Sequence, residues 1–267
     1  MAFLTLSVVQ YAPGPLVGEN LRAMAPLVEQ AAQAGSKLVV FPEYSKAFSP
    51  AEGQEWSSAA ETFEGDFVTG LTHLSRENEG ITIMAGMLRV DPEGGKPSNT
   101  QVAIQPQGVV VRAEKLHLYD AFGSRESDWM RPGGLEAPQL IDLEGFSLGM
   151  MACYDLRFPE VARRLVDAGA DIIVVPAQWV PGANKVHHFE TLVAARALET
   201  QTYVVACDHP EPHGVGLSRV VDPLGILIKK LGENAGAVQV SLDRDLLEQV
   251  RAANPMAQAR RFGVTPL

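Results

Sequence analysis

This sequence predicts an α/β fold, a four-layer α-β-β-α sandwich built from two similar halves, on three observations. Short apolar runs alternate with amphipathic helical runs along the chain. The segment Ala34-Gly35-Ser36-Lys37-Leu38-Val39-Val40-Phe41-Pro42 has a near copy in Ala168-Gly169-Ala170-Asp171-Ile172-Ile173-Val174-Val175-Pro176. Two further pairs, Phe3–Tyr11 with Phe146–Tyr154 and Ile104–Val111 with Val221–Ile228, keep the same order in each half. Each half then reads as a sheet covered by helices on one face. Two such sheets hide their other apolar faces by packing together.

The elements follow in order. Phe3 to Val9 alternates as a strand, and Leu16 to Ala34 is helical, with Leu21, Met24, Leu27 and Val28 on its apolar side. Leu38 to Phe41 is a short buried strand stopped by Pro42. Phe63 to Asn78 is helical and Ile81 to Val90 is a strand. Thr100 to Gln105 and Val109 to Arg112 pair as a hairpin across Pro106-Gln107-Gly108. Phe146 to Ala152 is a strand, and Pro159-Glu160 has the chemistry of a first helical turn. The tail from Asn254 to Leu267 has no clear local structure. Residues 1–267 read as one domain.

Composition bounds the function. The chain of 267 residues is 46% hydrophobic and 20% charged, which is ordinary for a globular protein. A net charge of −10, with no basic run, argues against nucleic-acid or anionic-membrane partners. Met1 to Gln10 lacks the basic start and cleavage site of a signal peptide, and no apolar stretch reaches membrane-spanning length. Two cysteines do not make a disulfide framework. The expectation is a cytoplasmic protein acting on a small molecule.

The most telling run is Met151-Ala152-Cys153-Tyr154-Asp155-Leu156-Arg157-Phe158-Pro159-Glu160. It delivers a thiol between a strand end and a helix start, where backbone N–H groups and the helix dipole are expected to lower the thiol pKa. Cys207, inside Tyr203-Val204-Val205-Ala206, fits the commoner role of a small core residue. Glu43 follows a buried strand and Lys115 follows a hairpin strand. Their counterparts in the other half are Ala177 and the stretch ending in Gly232. Charges present in one half only look grafted onto a shared scaffold. Together Glu43, Lys115 and Cys153 supply a base, a cation and a nucleophile, the groups needed to attack an amide carbonyl.

At these three stations, Phe41-Pro42-Glu43, Lys115-Leu116-His117-Leu118 and Cys153 to Glu160, the sequence resembles the nitrilase superfamily of carbon–nitrogen hydrolases. The resemblance runs from the first strand to about Arg261 and implies the four-layer sandwich. It implies Glu43 as general base, Lys115 as oxyanion-stabilising cation and Cys153 as nucleophile. It also implies a second glutamate, Glu126, in the context Arg125-Glu126-Ser127; Glu114 and Glu136 lack that context. No metal or organic cofactor is implied, and a homodimer or larger assembly is.

The form Cys-Tyr-Asp-Leu-Arg-Phe-Pro-Glu looks most like amidases of small carboxylate-bearing amides, such as omega-amidases and deaminated-glutathione amidases. Nitrile hydrolysis, N-carbamoyl hydrolysis, acyl transfer and a catalytically silent binding module are the other readings.

Substrate-facing candidates are Tyr44, Tyr154, Arg157, Gln178 and Trp179. Arg157 either clamps a substrate carboxylate or pairs with Asp155 or Glu160; Trp179 either lines the pocket or packs in the core. Arg196 and Glu199 read as a helix-surface pair. His187-His188 has no second ligand cluster at zinc spacing. The segment Asp208 to Gly214 departs from the resembled groups.

Overall fold

The computed structural model describes residues 2–50, 56 and 58–267. The first sheet holds β1 (Phe3–Gln10), β2 (Leu38–Val40), β3 (Thr82–Arg89), β4 (Ser98–Gln105) and β5 (Gly108–Glu114), with α1 (Val17–Gln33) and α2 (Asp66–Glu77) between its early strands. The second sheet holds β6 (Ile141–Leu143), β7 (Phe146–Met150), β8 (Ile172–Pro176), β9 (Tyr203–Cys207), β10 (Arg219–Val221) and β11 (Leu227–Lys230). Here α3 (Pro159–Asp167) and α4 (Lys185–Thr200) make the crossovers. The chain then returns to the first sheet as β12 (Gly236–Asp243) before α5 (Arg244–Ala253) and the single turn α6 (Met256–Ala259).

Strand order is β12-β1-β2-β3-β4-β5 in one sheet and β11-β10-β9-β8-β7-β6 in the other. Thus β1 to β5 match β7 to β11, as the three repeated segments predict. The parallel pairs β1–β2 and β2–β3 recur as β7–β8 and β8–β9.

The period of two explains the four layers. Leu38 and Val40 of β2 face the interior between the sheets, where they join Ile172 and Val174 of β8. Their neighbours Val39 and Phe41 pack with Met24, Val28, Phe67 and Leu71 of α1 and α2. Ile173 and Val175 pack with Leu165 of α3 and with Phe189 and Val193 of α4. A strand buried on both faces cannot alternate with polar residues, which is why β2 and β8 are continuous apolar runs.

Edges were less visible in the sequence. Leu143 pairs with Phe146 across a two-residue turn, so β6 guards the open side of β7. The equivalent guard of β1 is β12, where Asp243 pairs with Phe3 without a covalent turn. The tail carries α6; residues 260–267 have no regular structure. No helix among the described residues is long and apolar enough to cross a membrane.

Candidate active site

The two sheets bring four strand ends together. Pro42 stops β2 and Glu43 follows; Tyr44 turns left-handed at φ 56°. This bend presses on β3 at Gly86, where a Cβ would come within 2.7 Å of the Tyr44 nitrogen and 2.8 Å of the Glu43 Cα. Lys115 follows the last residue of β5, and its N–H is held by the Asn99 carbonyl of β4 at 2.8 Å. Cys153 leads a 3₁₀ turn, Cys153–Arg157, at φ 42°. A non-glycine residue in this region costs on the order of 1 kcal/mol and persists only where the surroundings enforce it.

Asp155 is the enforcer. Its carboxylate accepts the N–H groups of Ala152 (3.3 Å), Leu116 (3.3 Å) and His117 (2.9 Å), and it meets His117 Nδ1 at 2.8 Å. One side chain thereby ties the cysteine turn to the lysine strand. The His117 ring stacks on Phe158 at 3.7 Å, closing the same junction.

Lys115 Nζ lies 3.1 Å from Glu43 Oε1 and 2.9 Å from Glu126 Oε2, all three groups being buried. Glu43 also accepts the amide of Asn99 (2.7 Å) and the N–H of Gln178 (2.8 Å). Glu126 accepts from Tyr44 Oη (2.6 Å), from the Tyr119 N–H (2.6 Å) and from Asn99 (3.3 Å). The Cys153 thiol lies 3.5 Å from the carbonyl of Gln178.

Two carboxylates and one ammonium leave one excess negative charge in a buried space, and the network divides it unequally. Burial, with the neighbouring charge of Glu126, raises Glu43 above the usual glutamate value despite Lys115. Burial pushes Glu126 the same way, but Lys115 and the donor groups of Tyr44 and Tyr119 outweigh it and hold Glu126 low. Burial disfavours the Lys115 charge too, yet Glu126 and Glu43 together hold the ammonium well above its ordinary value. A pair of carboxyls driven apart in this way is suited to different tasks.

The thiol corrects the sequence expectation. Burial first, and then the negative charge of Glu43, push Cys153 well above the ordinary thiol value. Lys115 and local hydrogen bonding oppose that rise without cancelling it. The strand-turn-helix location alone therefore does not yield a thiolate; the resting group is a thiol beside a carboxylate.

The remaining candidates line one cleft with Glu43, Lys115, Glu126 and Cys153: Tyr44, Tyr154, Arg157, Gln178 and Trp179. Gln178 contributes its backbone to the site, while its side-chain amide donates to the His213 carbonyl. Trp179 is both wall and core: its N–H donates to Asp208 at 2.7 Å and its indole N–H to the Lys185 carbonyl at 2.9 Å. Arg157 lies 4.8 Å above the Trp179 ring, meets His188 Nδ1 at 3.4 Å, and its buried Nε has no partner among the described residues. Neither Asp155 nor Glu160 pairs with it, because Asp155 is committed to the His117 turn.

Arg196 does pair with Glu199 at 2.9 Å, but Arg196 is buried and its Nε also donates to the Leu156 carbonyl at 3.1 Å. Arg196 thereby braces the cysteine turn from within, while Glu199 remains partly exposed. Glu114 belongs to a separate cluster with Arg131 and Arg89.

Asn99 and Lys185 went unnoticed in the sequence; Asp155 was weighed only as a partner of Arg157, and Asp208 and His209 only as part of a segment that departs from the resembled groups. Asn99 had a signal, since Ser98-Asn99-Thr100-Gln101 is a polar run inside a strand and is wholly buried. In the segment after β9, Asp208 and His209 are also buried, and His209 Nε2 donates to the Glu43 carbonyl at 2.6 Å. Burial lowers His209 to about 4, so the imidazole is neutral near pH 7. No group of three or more His, Cys, Asp or Glu among the described residues could hold a metal ion.

Known proteins match this arrangement along nearly the whole chain. The family model of carbon–nitrogen hydrolase matches residues 5–252. Deaminated glutathione amidase of Escherichia coli O157:H7 is 38% identical over 253 residues, covering 95% of each chain. Omega-amidase NIT2 of Xenopus tropicalis is 29% identical, covering 98% of this chain and 96% of its own. The crystal structure of Saccharomyces cerevisiae Nit3, a member of branch 10 of the nitrilase superfamily, superposes with a TM-score of 0.84 at 27% identity and covers 98% of this chain and 97% of that one. With the sandwich, the matched span and these relatives in agreement, the chain belongs to the carbon–nitrogen hydrolase family.

Proposed function

We propose that the protein is an amidase that releases ammonia or an amine from a small carboxylate-bearing amide through a cysteine thioester. The observation that carries this reading is the buried group of Glu43, Lys115 and Glu126 opening beside the Cys153 thiol in one cleft. Glu43 takes the thiol proton as sulfur adds to the amide carbonyl carbon. Its raised affinity for a proton matches the transfer from a thiol that is itself hard to ionise. Lys115 and the Tyr154 N–H hold the oxyanion. The tetrahedral adduct collapses, the C–N bond breaks, and Glu43 returns the proton to the leaving nitrogen.

Water then attacks the thioester, giving one proton to Glu43. Collapse frees the carboxylic acid and the sulfur, which recovers that proton. The net reaction consumes one amide and one water and yields one acid and one amine. Glu126 holds Lys115 and stays ionised throughout. No step calls on a metal or organic cofactor.

Arg157 is the carboxylate reader. A guanidinium 4.8 Å over the Trp179 ring, with no carboxylate at ion-pair distance among the described residues, keeps its planar fork for a ligand. The relatives named deaminated glutathione amidase and omega-amidase suit such a substrate. We further propose that the whole chain works as one hydrolase domain, in the cytoplasm, as a homodimer or larger assembly.

The test is ammonia or amine release from small amides with and without a carboxylate, from nitriles and from N-carbamoyl amino acids, with Cys153→Ala run beside the natural protein. Cysteine-dependent release from acidic amides is the expected result. Release from nitriles or N-carbamoyl compounds alone would reassign the substrate, and full activity of Cys153→Ala would sink the mechanism.

A further inference from the structure

Two buried residues after β9 hold the backbone that carries and touches the reacting groups, and the chemistry above gives them no task. β9 ends at Cys207, and Asp208 and His209 follow it, both wholly buried. Asp208 Oδ1 accepts the N–H of Trp179 at 2.7 Å. That N–H shares a peptide bond with the Gln178 carbonyl, the group 3.5 Å from the Cys153 thiol. A peptide unit is planar and stiff, so fixing its N–H end fixes its carbonyl end. The N–H on the other side of Gln178 donates to Glu43 Oε2 at 2.8 Å. One residue of backbone thus touches both base and nucleophile, and Asp208 sets its tilt.

His209 grips the base itself. Its Nε2 donates at 2.6 Å to the Glu43 carbonyl, in the peptide unit that leads into Tyr44 at φ 56°. A left-handed residue other than glycine persists only where its surroundings enforce it. The imidazole meets the Phe48 ring edge-on, centres 5.0 Å apart. A Cβ at Gly214 would come within 2.3 Å of the His209 carbonyl and 2.9 Å of Asp208 Oδ1. The chain after β9 is therefore folded hard against the pair.

Stability is a poor reason to keep these two side chains. Asp208 Oδ2 and His209 Nδ1 have no hydrogen-bond partner among the described residues, and polar atoms buried unmet are costly. Burial raises Asp208 well above the usual aspartate value against the pull of the Trp179 and His209 N–H groups, and burial lowers His209 to about 4. Both shifts favour the uncharged side chain. The pair thereby supplies an acceptor and a donor without adding a charge beside Glu43 and the thiol.

We propose that Asp208 and His209 are positioning residues that set the approach of the Glu43 carboxylate to the Cys153 thiol, Asp208 through the Gln178–Trp179 peptide and His209 through the Glu43 carbonyl. Neither lines the cleft, so neither is a catalytic residue. The proposal rests on the amidase reading and adds two residues to it.

The experiment takes two readouts on the full chain. One is kcat and KM for the acidic amide. The other is the rate at which iodoacetamide alkylates Cys153, followed by mass spectrometry. In alkylation sulfur displaces iodide and Glu43 takes the thiol proton, so the same approach is read without any amide turnover. His209→Asn carries an amide too short to reach the Glu43 carbonyl, whereas His209→Gln returns a donor at the reach of Nε2. Asp208→Ala removes the acceptor and Asp208→Asn keeps it. Thermal melting checks folding. Should His209→Asn or Asp208→Ala fail to melt cooperatively, His209→Leu or Asp208→Leu takes its place with the same expectation.

His209→Asn and Asp208→Ala are expected to lower kcat and the alkylation rate by about 10- to 100-fold, the scale for a small displacement of reacting groups, with KM nearly unchanged. His209→Gln and Asp208→Asn are expected to recover most of both rates. Natural rates in the folded variants, a rise in KM with kcat unchanged, or losses that the conservative variants fail to restore would overturn the proposal and leave the pair as core packing. Turnover of no amide, with alkylation still slowed in the variants, sinks the amidase reading alone. Turnover with both rates untouched in the variants sinks this one alone.

Discussion

Cys153 and Gln10 occupy the same place in the two halves, each just past or at the end of the first parallel strand of its sheet, yet they do opposite things. The Cys153 corner gathers Glu43, Lys115 and Gln178 and opens into a cleft. At the other corner the Gln10 amide donates to the carbonyls of Gly232 (2.8 Å) and Asn234 (2.6 Å) and accepts from the N–H and hydroxyl of Ser218 (3.0 and 2.7 Å). Every polar atom of its side chain is used within the protein. Where the first half has Glu43, the second has Ala177, and the Lys115 position falls near Gly232. One scaffold thus carries a strained, charge-rich corner and a satisfied, neutral one. The proposed chemistry falls at the corner whose polar groups are left able to meet something else.

The sharpest way to break this comparison is to exchange what each corner loses. Cys153→Ala is expected to lower kcat by about 10,000-fold or more, the scale for removing a nucleophile from a unit that acts together, while melting close to the natural protein. Gln10→Ala should do the reverse. It leaves buried partners unsatisfied and costs roughly 2–4 kcal/mol of stability in a denaturant titration, with turnover within about threefold. Comparable kinetic damage at Gln10 would mean that the halves are mechanically coupled and not merely alike.

Lys115→Ala comes next. In the proposed mechanism Lys115 is the oxyanion cation, and its loss is expected to reduce kcat by about 100- to 1,000-fold. The two glutamates left unpaired in the interior should cost about 3–5 kcal/mol as well, so kinetics and melting must both be recorded.

A smaller effect is expected from Arg157→Ala: about a 10- to 100-fold rise in KM for acidic amides, in line with the loss of a charged hydrogen-bonding pair. Neutral amides should be nearly indifferent. An equal rise for both would make Arg157 a structural brace.

The pH profile gives the smallest and most diagnostic effect. In the proposed mechanism Glu43 must be ionised to take the thiol proton, so kcat/KM should fall as the pH drops through a value above the ordinary glutamate range. Glu126→Gln removes a charge that raises Glu43, and the acid limb should then move to lower pH. Stability follows the opposite partner. Glu126 is held low when folded, so its contribution is present above its unfolded-state value and is lost as the pH falls through the folded one. An acid limb that does not move in Glu126→Gln would break the assignment of unequal tasks to the two carboxylates.

Much of this arrangement was legible in the sequence, for identifiable reasons. β2 and β8 were visible because a strand buried on both faces must be uniformly apolar, and the prolines that stop them mark where function begins. Glu43 and Lys115 stood out because the repeat supplied a neutral counterpart for each. Glu126 depended on its local context, since nothing about a glutamate in a long loop reveals that Tyr44 and Lys115 await it from two other elements. Lys185 and His209 were invisible for the same reason: each has the local surroundings of a surface residue, and its burial is decided by distant chain. The direction of the thiol shift was misjudged because it depends on a sum of burial and the Glu43 charge, and only one contribution to that sum lies in the neighbouring sequence.

The missing turn between Asp243 and Phe3 bears on synthesis. β12, the hydrogen-bonding partner of β1 on one side, is made more than 220 residues after it. In the second half the corresponding strands are consecutive and joined by Glu144-Gly145, so β7 gains its neighbour almost as soon as it is made. Until some 230 residues have followed, β1 therefore presents an unpaired backbone edge of the kind that recruits other chains. Slow translation across 236–243 would lengthen the interval in which that edge is exposed.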